Sequence, residues 1–211
     1  MFSIGNVILM FGLLVFAYLM GSIPTALIIG KSAKKIDIRE HGSGNLGATN
    51  AVRVLGIRLG LAIFFADMFK AFLPALLARL LTGNTNFALI IGLVAVIGHC
   101  YPIFAGFKGG KGIASGVGMF FAISPLAAAL GLITFGLALL LGKMVSLASM
   151  MGALSVPIVT TIAYPKEFGL ILLSWVLFTF VIFKHIPNIK KIIKGTERKV
   201  VLWGKNKGKN E

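Results

Sequence analysis

Four short polar stretches interrupt an otherwise apolar chain, and each sets glycines or small hydroxyls beside fixed positive charge. The first is Gly42-Ser43-Gly44-Asn45-Leu46-Gly47-Ala48-Thr49-Asn50, followed by Arg53. The second joins Gly98-His99 to Phe107-Lys108-Gly109-Gly110-Lys111-Gly112. Lys143 introduces the third, with Ser146 and Ser149, and the fourth runs from Lys184-His185 through Asn188 to Gly195-Thr196-Glu197. Glycines free backbone N–H groups to converge, a following helix N-terminus favours negative charge, and Arg and Lys supply forked and point cations. The ligand such stretches suit is a phosphate. Known phosphate motifs do not account for them. Gly42, Gly44 and Gly47 form a G-x-G-x-x-G with no preceding strand, so a dinucleotide fold is rejected. Around Lys111 a P-loop would need glycine at 105 and Ser or Thr at 112, where Ala105 and Gly112 stand.

Metal chemistry is unsupported. Cys100 is the single cysteine, and His41, His99 and His185 are widely separated in sequence, with no His-Glu-x-x-His pattern. We therefore expect no metal and no cofactor. Each polar stretch also has a bland reading: a capped glycine turn, a basic anchor loop, small packing serines and a solvated tail.

The elements that hold these residues must be membrane helices. The 211 residues are 57% apolar and 13% charged, with a mean hydropathy of +0.95. That is about half the usual charge of a soluble chain. The net charge of +15 would suggest nucleic acid on a soluble protein, but in a bilayer protein basic residues collect in cytoplasmic loops, and no nucleic-acid partner is expected. A span needs about 20 apolar helical residues. Spans are predicted at residues 7–30 (interrupted by Ser22 and Pro24), 57–81, 87–104, 113–123, 126–141, 145–163 and 168–183, the fourth and fifth being split at Ser124-Pro125. The Met1 end reads as a retained span and not as a cleaved signal peptide. The expected fold is thus an all-α integral membrane bundle of seven transmembrane helices, a single domain over 1–200 with a basic cytoplasmic tail at 201–211. Seventeen of the 21 Lys and Arg fall on one side of this topology and only Lys166 on the other, which predicts the N-terminus outside and the C-terminus in the cytoplasm. All four polar stretches share the cytoplasmic side. Asp67 and Lys70, at i and i+3 within the second span, are expected to pair. Gly56-x-x-x-Gly60 and Gly112-x-x-x-Gly116 read as close helix packing. No internal repeat is evident.

Taken in order, Gly21-Ser22-Ile23-Pro24, the Gly42–Asn50 run with Arg53, Asp67-x-x-Lys70, Gly98-His99 with Phe107–Gly112, Ser146, and His185-x-x-Asn188 with Gly195-x-Glu197 resemble the bacterial acyl-phosphate-dependent glycerol-3-phosphate acyltransferases. The resemblance runs from the first helix to the tail. It implies transfer of a fatty acyl group from acyl phosphate to the 1-hydroxyl of glycerol 3-phosphate, giving lysophosphatidic acid and phosphate, the first acylation of phospholipid synthesis. A multi-pass protein of the bacterial inner membrane follows, with the active site facing the cytoplasm, membrane lipids around it and no obligate protein partner. The His-x-x-x-x-Asp of other glycerolipid acyltransferases is absent, since Leu46, Phe104 and Lys190 stand five beyond the three histidines. On this reading the catalytic set is His185, Ser43, Arg53 and Lys111. Substrate and phosphate binding falls to Gly42, Gly44, Asn45, Gly47, Thr49, Asn50, Lys108, Gly109, Gly110, Ser146 and Asn188, with Asp67, Lys70, His99 and Glu197 in support. Two alternatives stay open at this stage: whether Ser146 or Ser149 serves, and whether His185 or a substrate phosphate accepts the proton. The rival function is a membrane transporter of a phosphorylated anion.

Overall fold

In a computed structural model, residues 4–200 are described, and all the regular structure among them is helical. The tail at 201–211 lies outside the described residues. Nine α-helices follow in chain order: α1 Ile4–Ser22, α2 Thr25–Lys34, α3 Ala48–Leu55, α4 Ile57–Thr82, α5 Thr85–Cys100, α6 Ile113–Ile123, α7 Pro125–Gly142, α8 Val145–Ala163 and α9 Phe168–Ile193. Among the described residues six segments are long and apolar enough to cross a membrane, with α1 and α2 counted as one and α6 as a shorter apolar helix. Large side chains such as Ile4, Leu141, Ile162 and Phe168 lie exposed on the outer surface, which suits lipid and not water.

Breaks fall where local chemistry demands them. Pro24 has no amide donor and stops the helical ladder, so the first predicted span is two helices hinged at Ile23-Pro24. Pro125 sits at the first turn of α7, where its missing N–H costs nothing, and separates α6 from α7 as expected. Gly56, at φ +92°, turns the chain between α3 and α4. Helix α3 departs from the predicted spans, because its eight residues are too short and too mixed to register as one. The other departure is at the end of α9, predicted to stop at residue 183. The helix runs through Lys184 and Pro187 to Ile193, so His185 and Asn188 stand on a rigid helix and not in a tail.

Helix α6 is about half the hydrocarbon thickness, roughly 16 Å for its 11 residues. Its last carbonyls would be stranded in an apolar setting. Arg79 of α4 reaches them: Nη1 donates to the carbonyls of Ala122 at 2.9 Å and Ile123 at 3.3 Å. Close approach of α6 to α4 depends on Gly118, where a Cβ would fall 1.9 Å from the Met68 carbonyl oxygen. Of the paired glycines, Gly60 bears out close packing, since a Cβ there would strike Val52 at 2.3 Å. Gly112 is tight as well, a Cβ there lying 3.2 Å from Val96 Cγ1, whereas Gly56 has open space and Gly116 ordinary contact.

Asp67 and Lys70 pair as expected, Nζ to Oδ1 at 2.6 Å, both buried. Lys70 also donates to the Ile23 carbonyl at 2.9 Å and the Thr25 hydroxyl to Asp67 Oδ1 at 2.6 Å, so the pair fastens the α1–α2 break to α4. His99 of α5, its Nδ1 3.5 Å from Asp67 Oδ1, extends the cluster to the second glycine stretch. A charge left single here would cost about 2.5–3.5 kcal/mol on insertion scales.

Candidate functional site

One cavity of about 870 Å³ opens between α4 and α6 on one side and α7, α8 and α9 on the other. All four polar stretches contribute to one end of it. Ser43, Asn45, Thr49, Asn50 and Arg53 enter from the first, Lys111 from the second, Ser146 and Ser149 from the third, and His185, Asn188 and Glu197 from the fourth. Beyond them the lining turns apolar, with Leu61, Phe64, Phe120, Leu132, Phe135, Val156 and Leu177. A basic polar head on a long apolar slot is the shape of a site for an amphiphile bearing phosphate.

The first stretch is shaped by Asn50, buried on α3. Its Oδ1 accepts from the Ser43 amide at 2.8 Å, and its Nδ2 donates to the His41 carbonyl at 3.1 Å and the Ile38 carbonyl at 3.4 Å. Gly42 has φ +67°, and a Cβ there would lie 2.2 Å from Asn50 Oδ1. Asn45 performs a second internal task. Its Oδ1 takes the Gly47 amide at 2.8 Å, while its Nδ2 donates to the Gly109 carbonyl at 3.1 Å, joining the first stretch to the second. The glycines therefore do less ligand work than the sequence suggested. Amides of Ser43, Gly44 and Gly47 are spent inside the loop, leaving the side chains of Ser43, Thr49 and Arg53 for a ligand. Replacing Asn50 with Ala strands the Ser43 amide, while the His41 and Ile38 carbonyls keep the Gly44 and His41 amides as donors, a cost of about 1–3 kcal/mol. A thermal unfolding midpoint measured in detergent falls accordingly, and a midpoint equal to that of the unaltered protein contradicts this assignment.

The second stretch lies flat on the end of α5. A Cβ on Gly109 would fall 2.1 Å from the His99 carbonyl oxygen, and one on Gly110 would fall 2.0 Å from His99 Nε2. The Gly110 amide donates to that same carbonyl at 3.1 Å. Gly109, Gly110, Gly44 and Lys70 are absent from the cavity wall. So is Lys108, which is exposed, whereas Lys111 three residues on is directed inward. Two lysines of similar promise in sequence are thus separated by loop geometry.

Lys111 donates to Asn188 Oδ1, Asn188 Nδ2 donates to Glu197 Oε1 at 2.8 Å, and the Ser146 hydroxyl donates to the same oxygen at 2.7 Å. Burial pushes the Lys111 ammonium below the usual lysine range, a shift opposed by Glu197 and reinforced by Lys191, Lys184 and Arg53. Both Ser146 and Ser149 line the cavity and are buried; Ser146 is the one tied to Glu197. Nδ1 of buried His185 lies 2.8 Å from the Val181 carbonyl, which makes Nδ1 the donating nitrogen and, in the neutral ring, Nε2 the acceptor. Asp67 and His99 reach the wall from below. Sequence reasoning missed Lys191, Arg198 and Lys199, all on the wall. A signal for Lys191 existed: with α9 continued, residues 185, 188 and 191 form one i, i+3 row.

Comparison with known proteins decides the lineage. The profile of the family described as glycerol-3-phosphate acyltransferase matches residues 11–195. The chain belongs to this family. Glycerol-3-phosphate acyltransferase 2 of Bacillus anthracis is 45% identical over 188 residues, covering 89% of this chain and 97% of its own. The Bacillus subtilis glycerol-3-phosphate acyltransferase is 44% identical over 188 residues, with 89% and 96% covered. Among solved structures, the glycerol 3-phosphate form of PlsY (YgiH), an integral membrane glycerol 3-phosphate acyltransferase, is similar with TM-score 0.86 and 38% identity, covering 91% of this chain and 96% of that one. The lysophosphatidic acid form of PlsY gives 0.85 and 36%, with 91% and 95% covered. The protein is an integral membrane acyltransferase of phospholipid synthesis, as its residues suggested, and glycerol 3-phosphate is its substrate.

Proposed function

We propose that this acyltransferase takes its acyl group from acyl phosphate and delivers it to the 1-hydroxyl of glycerol 3-phosphate, releasing inorganic phosphate and 1-acylglycerol 3-phosphate. The observation that carries this reading is the joining of a cationic, hydroxyl-rich head to an apolar slot in one cavity. An acyl phosphate has that same division of polarity. It is an activated mixed anhydride, so the protein has to hold two phosphates, align the hydroxyl and stabilise the departing phosphate. Ser43, Thr49, Arg53 and Lys111 bind phosphate oxygens in this scheme, joined by the second N–H of the Asn188 amide and by the Ser146 hydroxyl once it turns from Glu197. Asn45, Asn50, Gly42, Gly44, Gly47, Gly109 and Gly110 hold the loops in shape, and Glu197, Asp67, Lys70 and His99 support them.

His185 binds and orients glycerol 3-phosphate, and a phosphate oxygen of the substrate takes the hydroxyl proton. Nδ1 of His185 is committed to the Val181 carbonyl, and among the described residues no carboxylate is hydrogen-bonded to its ring. On this assignment His185→Gln raises the KM for glycerol 3-phosphate while kcat at saturation stays within about tenfold; loss of a general base would cost kcat about 10²–10⁴.

The site faces the cytoplasm of the bacterial inner membrane, with seven crossings, the N-terminus outside and the C-terminus inside. Support comes from the course of α6 and α7. The chain leaves the cavity head at Lys111, turns at Ser124 and returns along α7 to Lys143, whose carbonyl accepts from the Val200 amide beside the head at 2.6 Å. This course supports reading the short α6 as a crossing, with the basic loops on the side of the site. Purified enzyme offered the same acyl chain as phosphate or as coenzyme A thioester tests the donor. Product from acyl phosphate alone is expected, and comparable product from the thioester overturns the assignment.

A further inference from the structure

Resting on the reading that the apolar slot takes the acyl chain, we infer that the slot has a closed floor, made by Ser174 and Thr160, that sets the longest chain accepted in straight form. Three independent helices place the floor at one depth. From the polar head the wall extends along α8 from Ser146 to Val156, along α9 from His185 to Ser174 and along α7 from Leu139 to Ala128, each roughly 15–17 Å of helix rise. No described residue deeper than these on the same helices lines the cavity, although α8 continues to Ala163 and α9 begins at Phe168.

What stops the cavity there is a polar clasp between α8 and α9. The hydroxyls of Thr160 and Ser174 are 2.9 Å apart, and each also lies within hydrogen-bond distance of a carbonyl, Pro157 at 3.1 Å and Ile171 at 2.7 Å. Both side chains are essentially without solvent exposure. Ser174 forms part of the cavity surface and Thr160 closes behind it. Because the hydroxyls are satisfied by each other and by backbone, an apolar chain end meeting them strands no polar group, and the clasp fixes the helix separation at that level. An extended chain advances about 1.2 Å per bond, so the floor is reached by roughly 13 carbons from the head. A longer chain must bend within the slot.

The wall also offers a position at intermediate depth. Ala153 lies seven residues along α8 from Ser146, about 10 Å in. A bulky side chain there shortens the straight path to roughly eight carbons, while one at Ser174 shortens it by only a few.

The experiment measures kcat/KM for a series of acyl phosphates from 6 to 18 carbons with the unaltered enzyme, Ala153→Phe and Ser174→Phe. In Ala153→Phe, turnover of chains beyond about eight carbons falls at least tenfold while the six-carbon donor is used as by the unaltered enzyme. In Ser174→Phe the break moves to about ten to twelve carbons. Retained use of the short donor shows that each variant is folded. Should Ser174→Phe prove unfolded, Thr160→Ala with Ser174→Gly, which removes side-chain volume from the floor itself, shifts use toward the longest donors. Breaks at the same length in both phenylalanine variants, or equal loss at every length, overturn the floor. Failure of the unaltered enzyme to use any acyl phosphate overturns the donor assignment instead.

Discussion

Lys111→Gln lowers kcat/KM by about 10²–10³, the equivalent of about 3–4 kcal/mol of transition-state stabilisation, with little change in the amount of folded protein. The magnitude follows from position. Lys111 is the lysine of the glycine stretch that enters the cavity, it is half-buried, and it is held by Asn188, which is itself held by Glu197. A cation fixed in this way stabilises charge on a departing phosphate without reorganising, whereas a flexible surface lysine must first be immobilised and desolvated. Lys108→Gln is the internal comparison. Its side chain is exposed and off the cavity wall, so its kcat/KM stays within a factor of about three. Steady-state kinetics of the two variants measured side by side separate placed charge from total charge. Equal losses for both would mean that the loop acts only as a diffuse positive field.

The second large effect is structural in origin. Gly109→Ala introduces a methyl group 2.1 Å from the His99 carbonyl oxygen and 2.9 Å from that of Cys100. Both are backbone atoms of a buried helix end and have nowhere to retreat. The loop must lift instead, which breaks the Gly110 to His99 and Asn45 to Gly109 hydrogen bonds and withdraws Lys111 from Asn188. Overpacking of this kind costs about 1–3 kcal/mol of stability. The loss of activity exceeds that of Lys111→Gln, because the link between the two loops goes with it. Gly106→Ala, at a glycine with no heavy atom within 4 Å of a built Cβ, serves as the control for the φ of +63° alone. Activity of Gly109→Ala equal to that of Gly106→Ala would contradict the packing account.

Much of this organisation was legible in the residues. Apolar stretches placed α4, α6, α7 and α8 to within a residue or two, because the bilayer sets helix length and proline marks the breaks. The four polar stretches do meet in one cavity, a consequence of antiparallel helices that return each of them to the same end. Sequence was less informative where function and packing use the same residue. The glycines around Lys111 read as a bare-backbone cradle, yet Gly109 and Gly110 exist so that the loop can lie against His99. Asn50 read as a ligand group, yet it is occupied in shaping the turn that presents Ser43. Lys108 and Lys111 are indistinguishable by composition, and only the fold of the loop separates them. The run of lysines after residue 183 resembles a solvated tail, although the same lysines suit the last turns of α9 through the helix dipole.

The central claim is that one cavity holds both substrates and passes the acyl group directly between them. Phosphate release from acyl phosphate by the purified enzyme in detergent, followed with and without glycerol 3-phosphate, tests it most directly. Direct transfer predicts release only when glycerol 3-phosphate is present, with one phosphate formed for each 1-acylglycerol 3-phosphate. A burst of phosphate equal to the enzyme concentration without glycerol 3-phosphate, or steady release at a comparable rate in its absence, would contradict the account.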